Sequence, residues 1–371
     1  MPKTFVELRD DIEVELADSS NVLWTAAELA TQMEEALREI SEYAPVLVKH
    51  EMELESRTGK ASATTANELV DSTEAQFLAT DVDKVVWNVT DRTWAYVTAY
   101  VTTSRLTISK DIMAINEEYK LFNRDCWNNR QLYLGNIEDY VGPNRGVVDV
   151  EYRIQKNPRQ LRNFVVEGNI LTLLTDFEPA DSKAVDAAIE VFVWVAHRHQ
   201  VSQLTDLAGA VDLVAGYAAD TTTIHVDTLA ATEVIAEDQE FTIAGLRGTY
   251  RTTAATTLAA NEGDITFWPP LKEAIVDNDV VTFLGSTLSR PQERIFVDLV
   301  AGRAAMSKGA QLLRLANTAI NAVNVGGQGV PNEYGARSTE LTTWGREKVA
   351  LALRELKQGI KPRQFRRYSR D

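Results

Sequence analysis

The sequence predicts an α+β fold: a helical domain built from N- and C-terminal helices, with a central β region and an inserted small β-sandwich-like module. Three observations predict it. Two capped helical stripes open the chain, two longer ones come after Ser289, and the residues between alternate with period two or break into short apolar runs at turn residues.

Thr4 and Glu7 have the spacing of a capping box, and Phe5, Leu8, Ile12 and Leu16 continue at helical intervals, so a first helix is expected. Thr25 and Glu28 form a second box, with Trp24 and Leu29 at the two positions of a hydrophobic staple. Leu29, Met33, Leu37 and Ile40 continue the stripe until Pro45 stops it. The period then changes: Val46, Val48, His50, Met52 and Leu54 alternate with Lys49, Glu51, Glu53 and Glu55, the pattern of a strand with one wet face. Between Arg57 and Asp176 strands are expected at VWNV, WAYVTAYV, RLTI and FVVEGNILTLL. The run AAIEVFVWVAHRHQV reads as one long buried strand, with His197 and His199 on the same face as Val191, Val193 and Val195.

Residues 208–285 differ in composition. They are rich in Thr, Ala and Asp, hold twelve acids against three bases, and break into short strands at Asn, Asp and Gly turns. Helical signals resume directly after them, which makes the segment an insertion: Ser289, Pro291 and Gln292 start a helix carrying Ile295, Leu299, Gly302, Met306, Leu313 and Ile320. Gly302, Ala305 and Gly309 allow close helix packing, the stretch NVGGQGVPNEYG reads as a flexible link, and a last helix carries Leu341, Trp344, Val349, Leu353 and Leu356. The expected partition is therefore 1–207 for the N-terminal helices and β region, 208–285 for the acidic module, 286–358 for the helices that complete the helical domain, and 359–371 for a basic tail.

A chain of 371 residues with 44% hydrophobic content can bury two or three cores. A lone Cys126 excludes an intramolecular disulfide framework, and the charged N-terminus predicts no secretory leader. The most apolar long segment is broken by Asp298, Arg303, Lys308 and Arg314, so no membrane span is expected. The net charge of −16 disfavours wrapping a polyanion over the body.

No nucleophile elbow, HExxH or phosphate-loop pattern is present, and the reading is a non-enzyme without cofactors or metal. His197 and His199 lack a neighbouring third ligand, His50 and His225 read as structural, and Asp220 and Asp227 do not have calcium-loop spacing. The tail KPRQFRRYSRD is the exception to the acidic composition. It carries Lys361, Arg363, Arg366, Arg367 and Arg370, with Phe365 and Tyr368 interleaved. A solvated end, a nucleic-acid contact and a docking arm are all open. The aromatics favour the last, because Arg and aromatic side chains are the usual anchors of protein interfaces.

The segment from Phe5 to Pro45 resembles the opening of the head-to-tail connector, or adaptor, proteins of tailed bacteriophages. The resemblance lies in Asn21, Trp24 and Thr25 at a turn, then Glu28, Leu29, Ala36, Leu37, Arg38, Glu39 and Ile40 on a second helix, then a proline and a strand. The paired C-terminal helices and Arg-rich end are similar too, whereas the region from Arg57 to Asp176 and the inserted module depart from that pattern. The resemblance implies a virion-neck protein assembled in the host cytoplasm, a ring of about a dozen copies between portal and tail or tail-completion proteins. DNA would pass through its acid-lined channel without specific binding. The competing readings are a capsid decoration or tail protein whose β-module binds a receptor or carbohydrate, and an enzyme working through His197 and His199.

Overall fold

The computed structural model describes residues 3–154, 156–175, 190–230, 232–323 and 333–359. The chain is mixed α+β and divides into two compact units. Among the described residues, one unit holds those up to Val46, Arg198–Trp268 and Glu273 to 359, and the other holds Leu47–His197 with Pro269–Lys272.

In the first unit, helices α1 (Phe5–Glu15) and α2 (Ala26–Tyr43) start at capping boxes. Glu7 N donates to Thr4 Oγ1 and Glu28 N to Thr25 Oγ1, while each glutamate carboxylate accepts the amide of its own cap residue. These satisfy amide groups that a helix start otherwise leaves orphaned. Helices α3 (Arg290–Val323) and α4 (Glu333–Gly359) run alongside each other. One core joins Leu8 and Ile12 of α1, Leu29, Met33 and Ile40 of α2, Phe296, Leu299 and Val300 of α3, and Ala352 and Leu356 of α4. Leu37, Leu353 and Trp344 pack against its margin. Lys348 on α4 ties the bundle further, pairing with Asp298 at 2.8 Å and Glu15 at 2.6 Å.

Helices α3 and α4 meet at glycines. A Cβ on Gly302 would lie 2.8 Å from Gly345 O, and one on Gly345 would lie 2.5 Å from Gly302 O. Farther along, Ser338 Oγ donates to Gly309 O at 2.7 Å. The expected contact through Gly302 and Gly309 is present, and Gly345, which no pattern in the sequence singles out, completes it. The apolar stripe of α3 turns outward beyond Met306, where Leu313 is 50% exposed and Leu315 is 56% exposed.

The 208–285 segment is a closed barrel, not the sandwich-like module expected. Its six antiparallel strands run Ala208–Val211, Thr223–Asp227, Gly263–Trp268, Tyr250–Thr252, Glu240–Ile243 and Val280–Phe283, the last pairing with the first. Sandwich and barrel strands alternate alike in sequence, and only this closing pair, which removes both exposed edges, distinguishes them. Phe241, Tyr250, Phe267 and Phe283 fill the interior, with Tyr250 stacked on Phe241 at 5.6 Å. Chain entry and exit are zipped together: Ser202 N donates to Gly285 O at 2.7 Å and Thr287 N to Gln200 O at 3.0 Å.

The second unit contains a six-stranded antiparallel sheet ordered Thr58–Lys60, Glu118–Phe122, Val85–Asn88, Thr93–Thr102, Arg105–Ile108 and Glu68–Val70. A three-stranded sheet places Glu190–His197 between Val46–Glu53 and Val147–Glu151. FVVEGNILTLL is a hairpin, Phe164–Glu167 with Ile170–Leu173, because Gly168 takes φ +59° and turns the chain where one strand was expected. A buried ionic cluster lies here too: Arg57 pairs with Glu55 and with fully buried Asp81, and Lys84 contacts both acids. Burial pushes the Glu55 carboxyl up, yet Lys84 and Arg57 together hold it well below the usual carboxylate range.

The helix contact and the barrel stem can each be tested. Gly345→Ala is expected to lower unfolding free energy in urea by about 1–2 kcal/mol, since backbone overpacking exceeds the roughly 1 kcal/mol gain in helix propensity. An unchanged denaturation midpoint would show that the helices cross less tightly than described. Replacing residues 203–284 by a short Gly-Ser link should leave a soluble, cooperatively melting helical unit, because Gln200 and Thr287 already hold the two ends together. Insoluble product would instead make the barrel part of the main core.

Candidate functional site

The seven tail residues Lys361, Arg363, Phe365, Arg366, Arg367, Tyr368 and Arg370 lie outside the described residues, as do residues 324–332 of the expected link. The N-terminal motif is described in full. Asp18 organises the turn before α2, its carboxylate accepting the amides of Val22 at 3.0 Å, Leu23 at 2.7 Å and Trp24 at 2.9 Å. Burial alone would raise the Asp18 pKa, but the three amides lower it on balance. Asn21 takes φ +53° within this turn. Trp24 then lands against α3, where its indole Nε1 donates to Ala304 O at 3.1 Å. A shallow groove beside it is lined by Glu28, Thr31, Gln32, Ser307, Lys308 and Gln311. Asp18 is not legible from sequence, because an isolated aspartate before a turn carries no distinguishing pattern.

The expected shared face of His197 and His199 is not formed. The strand ends at His197, whose Nε2 lies 2.8 Å from His50 Nε2, both rings buried. One of these nitrogens donates its N–H and the other accepts it. His199 instead turns to the end of α2: its Nε2 donates to Ala44 O at 2.7 Å, its Nδ1 lies 3.0 Å from Thr287 Oγ1, and its backbone N donates to Ser41 Oγ at 2.8 Å. Both ring nitrogens of His199 are thus within hydrogen-bond distance of protein oxygens. His50, read as structural, is half of the buried pair with His197.

His225, also read as structural, stands in a polar row across adjacent barrel strands. Its Nδ1 is 2.6 Å from Asp264 Oδ1, Nε2 is 3.8 Å from Glu262 Oε2, and Asp212 N donates to His225 O at 3.0 Å. These acids raise the His225 pKa, Asp264 most strongly through its hydrogen bond. Asp220 and Asp227 are not part of this cluster. Cys126 is buried, which pushes its thiol up to about 12 and keeps it protonated.

Comparison with protein families, characterised proteins and solved structures finds no match. Any functional reading therefore rests on the residues themselves. Among the described residues, no helix is long and apolar enough to cross a membrane.

Burial lowers the His199 pKa despite its hydrogen bonds to Ala44 and Thr287. A proton thus binds the unfolded chain more readily than the folded one. The corresponding stability is present above the unfolded value near 6.5 and is lost as pH falls toward the folded pKa. Urea titrations at pH 7 and pH 5 should show a larger loss in the native protein than in His199→Gln. Equal losses would remove His199 as the source.

Proposed function

We propose that this chain is a structural subunit of a bacteriophage neck, a head-to-tail adaptor that assembles as a ring beneath the portal and extends the DNA channel. In this reading both chain ends build one helical body, the barrel is a peripheral insert, and no residue is catalytic. The observation that carries it is the α3–α4 hairpin. At 1.5 Å per residue the 34 residues of α3 extend about 51 Å, yet among its described side chains the last buried apolar one is Ala305. The outer part presents Leu313 and Leu315 to solvent. A glycine-paired couple of long helices with exposed leucines suits packing against a neighbouring copy, where those leucines are covered.

The N-terminal motif gives further support. Trp24, between Asn21 and Thr25 of the motif, is held at its amide by Asp18 and bonds Ala304 through its indole, which ties the start of α2 to α3. The basic tail is read as an arm that meets an acidic portal surface or neighbouring subunit: Phe365 and Tyr368 anchor it, and Arg363, Arg366, Arg367 and Arg370 make charge-assisted bonds. An edge-free barrel on a paired stem favours a second reading, a capsid decoration or tail protein that displays the barrel to a receptor or carbohydrate.

Native mass measurement and negative-stain imaging separate the two. With purified portal, the full chain is expected to form rings of about a dozen copies. The Leu313→Asp, Leu315→Asp double variant should melt like the native protein but remain monomeric. Truncation after Gly359 should preserve the fold and abolish portal attachment. A chain that stays monomeric with portal present, or rings that persist in the double variant, would overturn the adaptor reading.

A further inference from the structure

Backbone register places four polar side chains together on the outside of the barrel. His225 pairs directly with Asp264 across one strand boundary, and across the other Asp212 comes next after Val211, which pairs with Val226. Asp212, His225 and Asp264 therefore form one cross-strand row. Paired residues project to the same side, and the flanking Val211, Ile224, Val226 and Ile265 are buried, so this row faces outward. Glu262, two residues before Asp264, shares that side.

We propose that this face is a site for a divalent transition metal ion of the zinc class, held by His225 Nε2 and the carboxylates of Asp212 and Glu262. One ligand atom from each of the three lies within 4.8 Å of the other two. Zinc bonds of about 2.0–2.2 Å put tetrahedral ligands roughly 3.3–3.6 Å apart. The 3.8 Å between His225 Nε2 and Glu262 Oε2 is close to that spacing and too long for a hydrogen bond. Small rotations of the two exposed carboxylates supply the remaining contraction.

Asp264 gives the site its direction. Its carboxylate accepts the His225 Nδ1 proton at 2.6 Å, which fixes the tautomer, leaves Nε2 as the coordinating atom and increases its basicity. A carboxylate behind a metal-binding imidazole is a recurrent supporting arrangement, and here strand register builds it into the backbone. Charge argues the same way. Among the described residues no lysine or arginine pairs with Asp212, Glu262 or Asp264, so a bound cation relieves repulsion that only His225 otherwise offsets. The imidazole selects against magnesium and calcium, which prefer all-oxygen shells, and three protein ligands leave a fourth position for water. The inference is independent of the adaptor reading, since it concerns the barrel alone.

The test is calorimetric titration of the full chain with zinc chloride, and separately with magnesium and calcium chloride, after chelator treatment and exhaustive dialysis. Zinc should saturate at one ion per chain, while neither alkaline-earth ion saturates at the same concentrations. His225→Ala should weaken zinc binding by about 100-fold or more, Glu262→Gln by at least about tenfold, and Asp264→Asn by about 10–100-fold at unchanged stoichiometry. Circular dichroism checks that each variant retains the barrel, and exposed Glu262→Gln and Asp264→Asn decide the matter should His225→Ala not fold. Zinc binding unaffected by these substitutions, an absence of saturation, or equal binding of calcium would overturn the site.

Discussion

The described structure depends on a four-residue junction, His199 to Ser202. Two long excursions leave the helical unit, one after α2 and one before α3, and each must return its ends to nearly the same place. His199 closes the first by bonding to Ser41 and Ala44 at the end of α2. Gln200 and Ser202 close the second by pairing with Thr287 and Gly285, while Ser202 O also accepts the amide of Phe5 at the start of α1. Bonds from one short segment thus reach the start of α1, the end of α2 and the approach to α3. Loop closure costs little more for a long excursion than a short one, so two large β insertions are tolerable once this junction is made.

The helical unit then needs only close contact, and its sequence supplies that in two ways. Glycines bring α3 and α4 to backbone distance, and Trp24 reaches across from the α2 cap to a carbonyl of α3. Large side chains fill the core where α1 and α2 also contribute, and the pairing of α3 with α4 alone continues beyond them. The division of labour on α3 is visible in a single helix: Phe296, Leu299 and Val300 are core, whereas Leu313 and Leu315 keep their apolar surface in water.

Much of this is legible in sequence where the signal is local. Thr4 with Glu7 and Thr25 with Glu28 announce helix starts because both partners of each cap lie within one turn. Gly302, Ala305 and Gly309 announce a close neighbour because small residues recur within two turns of α3, although the partner Gly345 does not show. Features that depend on pairing at a distance are hidden. The barrel reads as sandwich-like because its closing contact joins Ala208–Val211 to Val280–Phe283, far apart in the chain. Period-two alternation gives His197 and His199 one face only if the strand continues, and it ends at His197. His225 looks solitary because its partners Asp264, Glu262 and Asp212 come from other parts of the barrel, and an acidic stretch supplies many carboxylates with nothing to distinguish these three.

The core that joins α1 and α2 to α3 and α4 also dictates an order of events during synthesis. Leu8 and Leu29 share one core with Phe296, Leu299 and Leu356, so α1 and α2 cannot complete their packing until the much later α3 and α4 have been made. The sheets of the second unit and the barrel can mature while α1 and α2 remain capped but unpacked. Contacts of such large sequence separation form slowly. The caps at Thr4 and Thr25 need no partner outside their own first turns, so they favour helix at α1 and α2 even before the shared core exists.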